Sequence, residues 1–393
     1  MKKMFILTFL FLSTISLFSQ DKSDFKVTGY VFGDYFYKAG GDTNKTGGYK
    51  SQYYGNTLIT PNQQYGKSFS GFQIRRLYLG VYYNLNDAFA TTVLFEGNDK
   101  TFGGSQSSNL NKQGIYVKQA FVEWKNLVPN ASLYLGLVPT PTFSTDEAIL
   151  NYRSVEKTPG DARGLGNASD FGVTLKGKFD NDGMITYHAT IGNGSGQGYE
   201  TNKYKVFYGS IDCKPVKDLI VELYGDYAPS SNGVVDKNVT SLKAIAGYKI
   251  AGLSLGAEYF TQTKQNGTEV FSIATPKVIG YTDITTNVFS VFGHYALTSN
   301  LNVLARFDSY DPDTKATADA IDILTPEMTK KVTVKPFPSL YKEKFVTVGL
   351  DYAPTANVHI IPNIWSNSFS AKGTTPSKDA DLVYRITYHF IFK

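Results

Sequence analysis

Charged side chains recur at every second position along runs that are otherwise apolar, and that spacing restricts the chemistry open to them. Residues two apart on a strand share a face. By that parity Arg76, Lys176, Lys178, Lys243, Lys249, Arg306 and Arg385 fall on one face together with Asp34, Glu96, Glu123, Asp212, Glu222, Asp226, Glu258, Asp308 and Asp351. Groups of both signs spread along a wall set a local electric field, which is the chemistry of a conducting surface. Neighbours such as Arg306 and Asp308 can pair with each other. Catalysis would need a nucleophile, a base and an orienting group gathered at element ends, and no nucleophile elbow or dyad occurs, so no enzymatic activity is expected. The run GNGSGQG at 192–198 follows a strand but leads into another strand region, so it reads as a flexible loop and not a phosphate cradle. His188, His294, His359 and His389 share the polar parity without ligand spacing. They read as polar rings kept away from lipid, with no metal and no cofactor expected.

A second charged set lies in segment 139–168, which carries Asp146, Glu147, Arg153, Glu156, Lys157, Asp161 and Arg163 between Pro139, Pro141 and Pro159. It has no sustained period and is too long for a hairpin turn. As a candidate constriction loop it would fold inward and set Arg153, Lys157 and Arg163 against the four carboxylates at the narrowest point. The alternative is a surface loop over the rim or against a neighbouring subunit.

The elements that must hold these residues are strands. In 170–191, Phe171, Val173, Leu175 and Phe179 alternate with Thr174, Lys176 and Lys178; the chain turns at 180–183, where Asp-Gly supplies positive φ, and Ile185, Tyr187, Ala189 and Ile191 resume the apolar face. The same unit recurs along the chain. Short turns alternate with long loops at 40–70, 97–114, 139–168, 192–202, 263–286 and 311–341, giving about sixteen strands. The expected fold is all-β: a transmembrane antiparallel β-barrel with periplasmic short turns, long extracellular loops and both termini on the short-turn side.

Composition agrees. Lys2 and Lys3 before the apolar run 4–12 mark residues 1–19 as a signal peptide, leaving 20–393 as the barrel domain. Without those lysines the formal charge of +5 falls to +3, too little to argue for a nucleic-acid partner. Cys213 is the only cysteine, so no internal disulfide is available, and it reads as a small apolar residue at a strand end. Tyr and Phe, 28 and 27 residues, suit an apolar outer wall. A helical membrane protein is excluded because no apolar run of about 18 residues follows the leader. Arg75, Lys118, Lys205 and Lys344 break the parity and are placed facing outward near the upper rim, at lipid headgroups. Trp124, Trp365, Tyr83 and Tyr227 read as interfacial or pore-mouth aromatics.

FQIRRLYLGV (72–81), VKQAFVEW (117–124), YLGLVPTPTFSTDE (134–147) and SDFGVTLKGKF (169–179) resemble the phosphate-selective (O and P type) outer-membrane porin family in its Bacteroidetes form. The resemblance implies a sixteen-stranded homotrimer passing small anions such as phosphate through a channel narrowed by an infolded third loop. Arg75 and Arg76 match the family's paired arginines, and Asp170 its aspartate before the sixth strand. Ser169 stands where the family has Arg, and Lys393 follows the closing aromatic Phe392. The expected function is passive diffusion of small hydrophilic solutes and ions with mild anion preference, across the outer membrane of a Gram-negative bacterium. The alternatives are a selective phosphate, oxyanion or polyphosphate channel, and a plugged structural or partner-binding barrel. Expected partners are outer-membrane lipid and lipopolysaccharide, small inorganic anions or other solutes, and two further copies of the chain.

Overall fold

The computed structural model describes residues 25–41, 67–98, 114–272, 278–316, 331–333, 340–373 and 375–392. The expected leader, most of the loops 40–70, 97–114 and 311–341, and Lys393 lie outside the described residues. In chain order the strands are β1 (Phe25–Gly40), β2 (Ser70–Asn84), β3 (Phe89–Asn98), β4 (Tyr116–Val128), β5 (Ala131–Pro139), β6 (Ser169–Lys178), β7 (Ile185–Gly192), β8 (Val206–Cys213), β9 (Leu219–Ala228), β10 (Val239–Ile250), β11 (Leu253–Ser272), β12 (Val278–Thr298), β13 (Leu301–Asp311), β14 (Lys331–Thr333), β15 (Tyr341–Thr355), β16 (Val358–Ala371) and β17 (Asp381–Phe392). Two short helices, α1 (Ser144–Leu150) and α2 (Pro159–Ala162), separate β5 from β6.

Each long strand pairs antiparallel with its sequence neighbour, and β1 pairs with both β2 and β17, which closes the ring. β14 has only 3 residues and adds onto the end of β11, so the closed barrel has sixteen staves. Closure leaves no unpaired edge, the condition for a sheet in hydrocarbon. The polarity is inverted relative to a water-soluble protein. On β15 Glu343, Thr347 and Asp351 are buried, whereas Val346, Val348, Leu350 and Tyr352 are 42–46% exposed. Phe392 packs at the seam over Gly29, where an added Cβ would stand 2.3 Å from its ring.

Local chemistry fixes the short turns. Gly183 takes φ +70°, and the Asp180 carboxylate accepts from the amides of Met184 (2.9 Å) and Ile185 (2.7 Å), bonds that hold its carboxyl below the usual range.

Four expectations need correction. Residues 263–286 are not a loop over most of their length: β11 and β12 run 20 and 21 residues and continue pairing through Thr268 and Thr282 as a projecting hairpin. Its faces mix polar residues with Val270, Val278 and Ile284, so it lacks the alternation that reveals membrane strands. Arg75 and Lys118 do not face outward. Each is the extra residue of a β-bulge: Phe32 pairs Arg76 while Gly33 pairs Ile74, and Leu94 pairs Gln119 while Phe95 pairs Val117. A bulge turns two successive side chains toward one face. Trp365 is not at an interface or mouth; it is 1% exposed inside the barrel.

Residues 139–168 pack inside the barrel on clusters formed by the inner wall. Phe143 and Leu165 join Tyr224, Phe260, Val288 and Tyr310; Ile149 and Leu150 join Ile245 and Phe292; Tyr152 and Val155 join Leu304 and Ile361. Burying each such side chain contributes about 1.5–3 kcal/mol. Ile149 fits because Gly247 and Gly256, paired in register, leave a notch; a Cβ at Gly247 would meet its side chain at 2.6 Å.

Filling that notch should therefore unseat α1. Gly247→Val combined with Gly256→Val is expected to lower unfolding stability by about 1–3 kcal/mol, the cost of overpacking. Gly209→Val, where a Cβ meets nothing within 4 Å, should leave the denaturation midpoint of the barrel unchanged. Equal midpoints for the two variants would place Ile149 elsewhere.

Candidate functional site in the barrel lumen

Inside the barrel, segment 139–168 folds through two helices too short to show a period, of 7 and 4 residues. Asn151 in the left-handed region (φ 59°) ends α1, and Thr158 caps α2 by accepting from the Asp161 amide. The wall satisfies the segment's backbone. Lys243 donates to the Thr142 carbonyl at 2.6 Å, Gln262 to that of Leu165 at 2.9 Å, and Arg385 to that of Val155 at 2.9 Å. Arg306 donates to the Lys157 carbonyl, and Arg75 to those of Ser154 and Val155. Side chains add to these ties: Arg163 to Asp308 (3.0 Å), Tyr152 hydroxyl to Asp351 (2.9 Å), and Trp365 to Glu156 (3.1 Å).

The candidate residues therefore divide into two groups. Lys243 lies between Asp146 and Glu222, Asp308 lies between Arg306 and Arg163, and Glu156 stands 3.6 Å from Arg385. All are buried between segment and wall. The remaining constriction candidates, Glu147, Arg153, Lys157 and Asp161, are only partly buried. Among the expected wall residues, Lys176 and His188 are cross-strand partners, and Lys176 sits 5.4 Å from the ring of Tyr134. Lys178 is not gathered with the others; it donates to the Asn181 carbonyl in the turn.

Between the segment, β1–β4 and the end of β17 lies a cavity of about 340 Å³, lined among others by Tyr30, Tyr78, Lys118, Gln119, Glu147 and Arg153. Its two sides differ in charge. On the wall, one carboxylate serves two cations: Glu96 pairs with Arg76 and, at 3.0 Å, with Lys118. On the segment, one cation serves two carboxylates: Arg153 binds Glu147 at 2.6 Å and Asp161 at 3.0 Å, and donates to the Tyr78 hydroxyl at 3.3 Å. Burial raises the Asp161 carboxyl, and Lys157 and Arg153 more than offset it, holding it at about 2 and ionised. Lys118 on the wall thus faces Glu147 on the segment across the opening, with Lys157 adding a second cation beside Asp161.

Toward the short-turn end, His359 bonds Asp351 at 2.9 Å and stacks on His389 at 5.4 Å, while His294 lies 5.1 Å from the ring of Tyr152. Among the described residues no group of three or more His, Cys, Asp or Glu has the geometry to hold a metal ion. Sequence parity missed Arg75, Lys118 and Trp365 as lumen groups, and Tyr152 lies in the segment where no parity applies. Two adjacent arginines in a membrane strand are the available signal, because one would otherwise face lipid at a cost of about 2–4 kcal/mol near the midplane.

No family model matches the sequence, nor does any curated protein. Solved barrels match in fold. The anion-selective porin from Comamonas acidovorans superposes with TM-score 0.57 at 13% identity, over 94% of this chain and 100% of that one. The outer-membrane channel DcaP of Acinetobacter baumannii gives 0.57 at 12% identity, over 95% and 99%. In-vitro folded OmpT of Vibrio cholerae, in its trimer form, gives 0.52 at 12%, over 94% and 100%.

Lys243 generates the clearest stability expectation. Lys243→Met leaves the buried carboxylates of Asp146 and Glu222 without their cation and should cost about 3–5 kcal/mol. Lys178→Met, at the rim, should stay within about 0.5 kcal/mol. Urea unfolding followed by gel mobility separates the two; equal midpoints would mean that the segment is not held through Lys243.

Proposed function

We propose that this chain is an outer-membrane channel of a Gram-negative bacterium for passive diffusion of small hydrophilic solutes and ions. The observation that carries the reading is a closed barrel of inverted polarity whose inner segment docks on one side and leaves an opening lined by charge and aromatic groups on the other. Water and solutes pass where polar groups remain unfilled by protein. Residues 1–19 serve as the export leader, and the chain assembles as a homotrimer in outer-membrane lipid and lipopolysaccharide. The trimer form of the Vibrio cholerae barrel supports that assembly.

Selectivity follows from local field and is modest. The channel keeps a mild anion preference, from a mature charge of about +3 and from Lys118 and Arg76 on the wall. A dedicated phosphate or polyphosphate site, as in the family that the sequence resembles, would need several cations free to converge. Lys243, Arg306 and Arg385 are instead engaged with segment carbonyls and carboxylates. That engagement favours the general channel over the oxyanion-specific one.

Planar-bilayer recording under a salt gradient tests the reading. Stepwise ohmic conductance is expected. Lys118→Gln and Arg153→Gln should each move the reversal potential toward cations, more strongly at low salt, since the screening length grows from about 10 Å at 0.1 M to about 30 Å at 0.01 M. Arg163→Gln, behind the segment, should leave the reversal potential alone and lower stability instead. A bilayer that stays sealed after insertion would favour the plugged barrel.

A further inference from the structure

The cavity beside the inner segment has a composition that points to a particular class of solute. Its lining cation Lys118 spends one contact on Glu96 at 3.0 Å, and an ammonium group has three donors. Across the opening, Glu147 uses Oε1 on Arg153 and keeps 34% of its side chain exposed. Tyr30 and Tyr78 lie between, ring centroids 4.7 Å apart and tilted by 41°, presenting an apolar surface. Around the opening the cations Arg76, Lys118, Arg153 and Lys157 stand against Glu96, Glu147 and Asp161, so both signs are present.

We infer that this cavity binds small zwitterionic solutes, free amino acids and dipeptides, as they pass: Lys118 receives the carboxylate, Glu147 the ammonium group, and the Tyr30–Tyr78 pair the apolar side chain. The inference rests on the channel reading and names its solute class. Inorganic phosphate would gain Lys118 but meet the like charge of Glu147 across the opening. A neutral sugar could lie on the tyrosines but would leave both charges without a counterion. Only a solute carrying both signs satisfies the two sides together, and a volume of about 340 Å³ lies in the range of small-molecule sites and accommodates one such molecule.

The test uses the full-length protein in planar bilayers with L-leucine as the probe, and N-acetyl-L-leucine, L-leucinamide, phosphate and glucose as comparisons. Leucine should reduce the current at concentrations roughly tenfold below either single-charge analogue, the loss expected when one charge-assisted hydrogen bond is removed. Glu147→Gln should raise the half-blocking concentration of leucine about five- to tenfold and leave N-acetyl-leucine no weaker. Lys118→Gln should weaken both, and Lys118→Arg should restore both. Stronger block by phosphate, N-acetyl-leucine or glucose, or an unchanged leucine response in Glu147→Gln, would overturn the inference. Calorimetric titration of the detergent-solubilised protein with leucine separates this from the channel itself. Binding without conductance rejects the channel and keeps the site; conductance without binding rejects the site and keeps the channel.

Discussion

Carbonyl groups explain why the inner wall carries the residues it does. A segment without regular structure can lie inside a barrel only if its backbone acceptors find donors, because each buried acceptor left unpaired costs about 1–3 kcal/mol. Here the donors are long cationic and amide side chains from the wall: Lys243, Gln262, Arg306, Arg385 and Arg75 reach the carbonyls of Thr142, Leu165, Lys157, Val155 and Ser154. Cations held this way also meet carboxylates, as Lys243 does with Asp146 and Glu222, so charge is balanced where water is excluded. Position on the polar face of a strand thus says that a cation avoids lipid. It does not say that the cation faces solute.

The same docking divides the lumen. Strands β9 to β17 carry inward apolar residues, among them Tyr224, Ile245, Phe260, Phe292, Leu304 and Trp365, and these form a true core with the segment. β1 to β4 present Asp34, Arg75, Arg76, Glu96 and Lys118 inward, and these reach the opening or its immediate neighbours. A segment held by several buried ion pairs and four apolar clusters belongs to the stable part of the molecule, so the dimensions of the cavity beside it are set by packing.

Strands were legible because lipid imposes a single rule on them: one face apolar, every second residue. That rule located all sixteen staves, β11 and β12 only over part of their length, closely enough to assign Thr174 and Lys176 inward and Val173 outward, as burial of Thr174 and the 42% exposure of Val173 show. Features that break the rule were hidden. Bulges at Arg75 and Lys118 reverse parity within a strand, and the hairpin extension of β11 and β12 buries Thr268 and Val270 without an apolar-polar alternation to announce it. Trp365 and Phe260 face inward because a partner segment covers them, and coverage by a sequence-distant segment leaves no periodic trace. Within 139–168, composition announced a charged segment, but whether Arg163 meets Asp308 or Arg153 meets Glu147 depends on contacts across 145 and 6 positions.

Opposed charges across the opening have a consequence that a uniformly cationic wall would not. A uniform wall raises the concentration of anions and repels cations, so its selectivity depends on net charge and fades with salt. Where Lys118 and Arg76 face Glu147 across the opening, with Glu96, Asp161, Arg153 and Lys157 interspersed, the net term is small while the field between opposite charges remains. A field of that kind does little to a spherical ion in transit. It acts on the orientation of water and of any solute with a separated pair of charges, and at contact distance such orientation is screened less than long-range steering. On the channel reading proposed above, the shape of charge on the solute then matters alongside its sign.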